Sequence, residues 1–230
     1  MEKIAAIVVT YNKKELLVNA INGILNQELL PDKLIVVDNC SNDGTPECLL
    51  RNFWVNELPI KVLSENVVSS KHLVLKNGNS IEIDYIQKFE NDGGAGGFYE
   101  GMKYANEQGF DWLWMMDDDG VPEKKCLQEL YKSRDENIVS GPLVIDKETQ
   151  KTESFIFDEI DKNSLALTEF LKKKEVLENV LNPFNGTFIS RKVIDKIGFV
   201  KREMFIWGDE AEYQSRIIKN GFKVQTITKA

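Results

Sequence analysis

Three consecutive carboxylates, Asp117, Asp118 and Asp119, end the apolar run Trp112-Leu113-Trp114-Met115-Met116 and precede Gly120. Adjacent carboxylates repel one another, and a divalent cation among them relieves that repulsion; ligands that are all oxygen suit Mg²⁺ or Mn²⁺, whose shell a diphosphate would complete. A solvated turn after a strand is the simpler alternative for an isolated triplet. A second acidic cluster, Asp209, Glu210 and Glu212, lies among Phe205, Trp207 and Tyr213. If the two clusters face each other, the first can hold a metal on a leaving diphosphate and the second can supply a general base for an attacking hydroxyl. The alternative is that these acids only favour the first turn of a helix. Between the clusters' chemistry and the chain's start lies Asn91-Asp92-Gly93-Gly94-Ala95-Gly96-Gly97. Such a run lets backbone approach a ligand closely, and the helix after it can turn its amino end toward a diphosphate; a flexible connector is the alternative.

The elements that must position these groups alternate. Ile4 to Val9 and Leu34 to Val37 are continuous apolar runs of the kind found in strands covered on both faces, and between them Leu16, Leu17, Ala20, Ile21, Ile24 and Leu25 recur at helical spacing over 13–26. A polar turn, Asp38 to Thr45, leads into a helix expected over 46–55, then a strand over 60–63. Asn77-Gly78 predicts a hairpin turn, with 81–86 returning to the main sheet. A helix over 98–108 precedes the Trp112 strand, and Pro122 opens another to about 133. Further on the pattern predicts a strand over 138–144, an irregular polar stretch over 146–163 and an amphipathic helix over 165–181. A strand then enters from Asn185-Gly186, with helices over 191–197 and 213–220, Gly221 as a stop and a final strand over 222–227. Carboxylates at the carboxyl end of a strand stand where open α/β sheets bind ligands. The result is one doubly wound, mostly parallel α/β sheet, Rossmann-like, with an appendage shaping the second side of its cleft.

Composition narrows the function classes. At 230 residues and 42% hydrophobic content, the chain can bury one sizeable core. A net charge of −8 argues against a general nucleic-acid binder. Cys40, Cys48 and Cys126 show no metal-ligand spacing, which predicts reduced thiols in a cytosolic protein. No signal peptide and no apolar stretch of about 18 residues is present, so a soluble, non-secreted chain is expected. His72, the one histidine, has no partner motif and reads as a surface residue. The Lys172-Lys173-Lys174 run reads as solvated surface, with a membrane-facing role as the alternative.

Five motifs then occur in an order that resembles family 2 glycosyltransferases, and within them the galactofuranosyltransferase and rhamnosyltransferase branch. They are Val8-Val-Thr-Tyr-Asn12, Val37-Asp38-Asn-x-Ser-x-Asp43-Gly44-Thr45, Asn91-x-Gly-Gly-Ala-Gly-Gly-Phe98, Trp114-Met-Met-Asp-Asp-Asp119 and Phe205-Ile-Trp-Gly-Asp-Glu-Ala-Glu-Tyr213. The resemblance spans nearly the whole chain and implies a single GT-A domain over 1–230. Its nucleotide-sugar half would be 1–120 and its acceptor-side half 121–230. It implies metal-dependent, inverting transfer of a sugar from a pyrimidine nucleotide-sugar donor, such as UDP-galactofuranose or dTDP-rhamnose, to a saccharide or lipid-linked acceptor of a cell-surface polysaccharide or glycolipid. The expected setting is the cytoplasm, with peripheral association at the inner face of the membrane.

By this resemblance Thr10, Tyr11, Asp38 and Asp43 belong to the base-binding pocket. Gly93, Gly94, Gly96, Gly97 and Asp118 take the donor, Asp117 and Asp119 bridge Mn²⁺ or Mg²⁺, and Trp207, Asn185 and Gly186 flank donor sugar and acceptor. Glu210 matches the catalytic base, where most relatives carry Asp, and Asp209 the acid beside it. In the branch it resembles, a metal-binding histidine lies a little past the strand at 222–227, a position not reached by Ala230, so the resemblance implies either a chain that continues or an incomplete metal site. A sugar-1-phosphate nucleotidyltransferase would need a basic glycine-rich loop after the first strand, which Thr10-Tyr11-Asn12 is not. An idle nucleotide-sugar-binding or assembly module is the alternative of another class.

Overall fold

The computed structural model describes residues 2–60, 62–146 and 174–230. Its centre is a sheet of nine strands among the described residues, in the order β3-β4-β2-β1-β5-β8-β6-β9-β7. The strands are β1 (Ile4–Thr10), β2 (Lys33–Asp38), β3 (Val67–Val74), β4 (Ser80–Gln87), β5 (Trp112–Asp117), β6 (Ile138–Pro142), β7 (Val176–Glu178), β8 (Asn185–Ser190) and β9 (Lys223–Ile227). The block β4-β2-β1-β5 is parallel, as is β6 with β9, whereas β3, β7 and β8 join their neighbours antiparallel. Every residue of β1 and β2 is buried, as expected of runs without polar alternation.

Alternation along β1 divides the core. Ala5, Ile7 and Val9 face one layer with α3 (Gly93–Glu107), α5 (Arg191–Ile197) and α6 (Asp209–Lys219). Ile4, Ala6 and Val8 face the other, where α1 (Lys14–Leu25), α2 (Thr45–Arg51) and α4 (Cys126–Lys132) pack. Helices on both faces make the sheet doubly wound. Asn77-Gly78 closes the β3–β4 hairpin as read from the sequence, with the Leu75 amide donating to the Asn79 carbonyl at 2.8 Å.

Several local readings are corrected. Ile60, Val62 and Leu63 form no strand: the place beside β4 is taken by β3, and Ile60 and Leu63 are left 86% and 91% exposed. The expected helix over 165–181 ends differently, because Val176–Glu178 pairs with β9 as a strand; residues 147–173 of that reading and of the polar stretch lie outside the described residues. α2 and α4 are shorter than expected, while α3 and α6 begin earlier, at Gly93 and Asp209. His72 is exposed on edge strand β3, and none of the three cysteines is in a disulfide. No helix among the described residues is long and apolar enough to cross a membrane.

Candidate active site

The site stands at the carboxyl ends of β1, β2, β4 and β5. Parallel pairing brings Thr10 level with Asp38 and Val9 level with Asp117. The turns after β1 and β2 are then tied together: the Asn12 amide donates to Ser41 Oγ at 2.9 Å, and the Asn42 amide to Asn12 Oδ1 at 2.8 Å. Asp38 is fully buried and accepts from the Ser41 amide at 2.8 Å and from Tyr85 Oη at 2.6 Å. Burial raises its pKa, against the pull of those two bonds. It therefore shapes this turn and presents no free carboxylate. Asp43 also works inward, accepting from Thr45 Oγ1 at 2.6 Å and from the Lys14 amide at 3.1 Å, so it joins the starts of α2 and α1. Tyr11, 43% exposed, is the expected base-pocket residue that offers open surface.

The three aspartates point to different neighbours. Asp118 is buried and accepts from Thr10 Oγ1 at 2.7 Å. Asp119 is half exposed, and the Lys13 ammonium lies 3.3 Å from it and 3.5 Å from Asp118. Burial pulls the Lys13 pKa down, but the field of Asp118 and Asp119 outweighs it and leaves it raised. Asp117 is pushed up to about 7 by burial first, then by Asp119 and Asp118, and further by Glu210. That last influence is the smallest, and it places the first turn of α6 within electrostatic reach of the end of β5.

At α6 the sequence had offered three acids, and the structure separates them. Glu212 pairs with Lys201 at 2.9 Å and Arg216 at 2.8 Å. Asp209 is buried, with Oδ1 lacking a donor among the described residues, and burial together with Glu210 lifts its pKa to about 6. Glu210 is exposed. Of the three it is the carboxylate open to an incoming hydroxyl.

Phe184 holds these walls together. It stacks on Phe98 of α3 at 4.3 Å and lies 5.9 Å from Tyr213 of α6, while its carbonyl accepts from the Asp117 amide at 3.1 Å. Asn185 and Gly186 follow at the start of β8, with Asn185 paired to Met116 beside Asp117. Trp207 is 86% exposed at the rim. Sequence reasoning missed Lys13 and Phe184; a cation just after a strand that ends beside carboxylates was the available signal for the first.

The glycine-rich turn departs from expectation. The helix begins at Gly93, and the amide of Ala95 donates to the Phe205 carbonyl at 3.0 Å, so protein backbone engages the amino end expected to face a diphosphate. A Cβ at Gly93 would fall inside that carbonyl, and one at Gly97 would overlap Val9 of β1. These glycines allow close packing within the protein, and only Gly94 of the four expected residues has open space above it.

No three of His, Cys, Asp and Glu among the described residues converge as a complete metal cluster. The donor set nevertheless fits a hard cation held by two carboxylates plus ligand oxygens. Asp117 and Asp119 are mutually repelling oxygens of that type, and Mg²⁺ sites commonly use one or two carboxylates with substrate phosphates.

Comparison with known proteins agrees with this fold. The chain is 27% identical over its whole length to the galactofuranosyltransferase GlfT1 of Mycolicibacterium smegmatis, covering 70% of that protein. It superposes on Staphylococcus aureus TarS in complex with UDP-GlcNAc with a TM-score of 0.64 at 15% identity, over 99% of this chain and 56% of that one. It also superposes on the Pyrobaculum calidifontis mannosyltransferase PcManGT in complex with GDP-Man and Mn²⁺, with a TM-score of 0.61 at 16% identity, over 98% of this chain and 54% of that one. It thus spans little more than half of those two chains, which share its GT-A fold. The family model described as glycosyl transferase family 2 matches residues 5–67 and 70–198, and the chain belongs to that family of glycosyltransferases.

Proposed function

We propose that this glycosyltransferase moves a sugar, with inversion, from a pyrimidine nucleoside-diphosphate donor to a saccharide or lipid-linked acceptor of a cell-surface polymer. The observation that carries the reading is geometric: the Phe184 carbonyl accepts from the Asp117 amide at 3.1 Å, and the Phe184 ring lies 5.9 Å from Tyr213 of α6, the helix whose first turn carries the solvent-exposed Glu210. The likeness to GlfT1 supports galactofuranose as the first donor sugar to test. The nucleotide-sugar complexes of TarS and PcManGT support the donor class, and the Mn²⁺ of PcManGT supports a divalent metal.

In this reading the base lies against Tyr11 and the turn that Asp38 and Asp43 hold. Asp117 and Asp119 would hold Mn²⁺ or Mg²⁺, which would supply charge to offset the negative charge growing on the departing diphosphate. Glu210 accepts the proton of the acceptor hydroxyl as its oxygen bonds to the anomeric carbon. The bond from that carbon to the diphosphate oxygen breaks in the same displacement, and the nucleoside diphosphate leaves with the electron pair. Asp209 beside it is buried, whereas Glu210 is exposed to an incoming hydroxyl, and so Asp209 does not compete as the base.

A panel of nucleotide-sugars with Mn²⁺, read by thermal protection and then by transfer, tests the proposal. The expected result is metal-dependent protection by a uridine or thymidine donor. Glu210→Gln should keep that protection and lose at least about a hundredfold in transfer rate. Absence of any nucleotide protection, or full transfer by Glu210→Gln, overturns it.

A further inference from the structure

The segment that carries Trp207 and leads to Glu210 is fastened to the glycine-rich end of α3 by contacts that the proposed chemistry does not use. After the short 3-10 helix Arg202–Met204, the Phe205 carbonyl accepts from the Ala95 amide at 3.0 Å, and Phe205 itself has φ of 64°. A non-glycine residue in that region is strained, so the surrounding contacts must hold it there. Arg202 supplies the second point of attachment. Its guanidinium lies 2.9 Å from Asp92 and 3.6 Å from Glu90, with the Tyr99 ring of α3 at 5.8 Å. Asp92 is in turn paired with buried Lys88 at the end of β4. The chain of contacts therefore runs from the parallel sheet, through Lys88 and Asp92, to Arg202, and onward through 205–208 to the first turn of α6.

We infer that Arg202, acting through Asp92, is a positioning residue that clamps the 202–208 segment on α3 and thereby sets where Trp207 and Glu210 stand opposite Asp117. The inference rests on the transfer reading for its catalytic consequence, while the clamp itself is independent of it. Three features favour a positional role over a stabilising one. Arg202 is about half exposed, and ion pairs of that kind contribute little to global stability. Phe205, Ile206 and Trp207 are themselves exposed, so their side chains do not anchor the segment in the core. Finally, misplacement of a catalytic group by about 1 Å is enough to lower a rate about a hundredfold.

The test compares wild type with Arg202→Ala, Arg202→Lys and Gly93→Ala, the last placing a methyl group where the Phe205 carbonyl sits. Chymotrypsin cleavage at 205–207 reports this segment and needs no substrate, since Phe205 and Trp207 are exposed. Arg202→Ala is expected to be cleaved at least about fivefold faster there. Its melting temperature should stay within a few degrees of wild type, with kcat falling about 10–100-fold and metal-dependent nucleotide affinity unchanged. Arg202→Lys should recover part of the rate. Unchanged cleavage in Arg202→Ala overturns the clamp, and released cleavage with wild-type kcat overturns its positioning role. If wild type transfers no sugar at all, the function reading fails, and cleavage alone decides the clamp. Should Gly93→Ala fail to fold, the arginine variants still give the answer.

Discussion

At the scale of single residues the site is governed by which carboxylates are left without a cation. Asp118 has Thr10 and Lys13, Asp43 has three hydrogen-bond donors, and Glu212 has two salt bridges. Asp117 is instead pushed up to about 7 by burial and neighbouring acids. Proton and divalent cation compete for such a group, so acidification should weaken metal binding. Mn²⁺-dependent nucleotide affinity is expected to fall severalfold from pH 8 to pH 6, and Asp117→Asn should show weak binding with a flat profile in calorimetry. The linkage to stability has a definite sign. A carboxyl whose folded pKa is raised favours the folded state below its ordinary pKa, and that contribution is lost as pH rises through about 7. Without added metal, wild type should therefore lose more stability than Asp117→Asn between pH 5 and pH 8. Identical pH profiles for the two would show that Asp117 is not the strained carboxylate. Asp117 and Glu210 were legible in the sequence as members of acidic clusters; which acid stays free was not, because that depends on partners such as Lys201 and Arg216 that only folding brings near.

At the scale of elements, the β-strands and the amphipathic α1 were legible because apolar periodicity records burial directly. The glycine-rich run misled for a physical reason. Four glycines in five residues carry low helix propensity and read as a loop, yet here they form the first turn of α3. Tertiary packing overrides propensity: the helix lies so close to β1 and β2 that side chains at Gly97 and Gly101 would strike Val9 and Ile7. The failed strand over 60–63 errs oppositely, since apolar composition alone makes no strand: β3 takes the place beside β4, and Ile60 and Leu63 stay exposed. If close packing explains these glycines, Gly97→Ala should destabilise the fold by about 1–3 kcal/mol in urea unfolding, through displacement of α3 from β1. Gly94→Ala, with open space above it, should cost much less and could even stabilise the helix. Equal effects at both positions would mean that helix propensity alone decides.

At the scale of the whole molecule, the sheet's two ends carry opposite kinds of polar burial. The carboxyl ends concentrate acids whose charges are unfavourable in the folded chain, as a ligand site requires. The foot of β2 concentrates a charge-paired network: Lys33 lies 2.6 Å from Asp84 and donates to Gln108 Oε1 at 2.8 Å, and Tyr104 Oη donates to Asp84 at 3.0 Å. This network joins β2, β4 and α3, the elements that carry the turn at 38–43 and the helix end at Gly93. Burial raises the Asp84 pKa, but Lys33 outweighs it and leaves it lowered. Burial lowers Lys33, and Asp84 with Glu82 leaves it raised. A carboxyl with a depressed folded pKa stabilises above its ordinary value near 3.8 and loses that contribution as pH falls further. A raised lysine stabilises below 10.5 and loses its contribution as pH rises past it. Both therefore act across the neutral range. Asp84→Asn leaves the Lys33 charge buried against a neutral partner, and removal of one partner from such a pair costs about 3 kcal/mol. The variant should unfold at lower urea near pH 7 and lose less than wild type on acidification toward pH 3.5, because its acid-sensitive partner is gone. A wild-type midpoint at neutral pH would mean that Glu82 and Gln108 suffice to hold Lys33, and that the foot of the sheet is tied by packing rather than by charge.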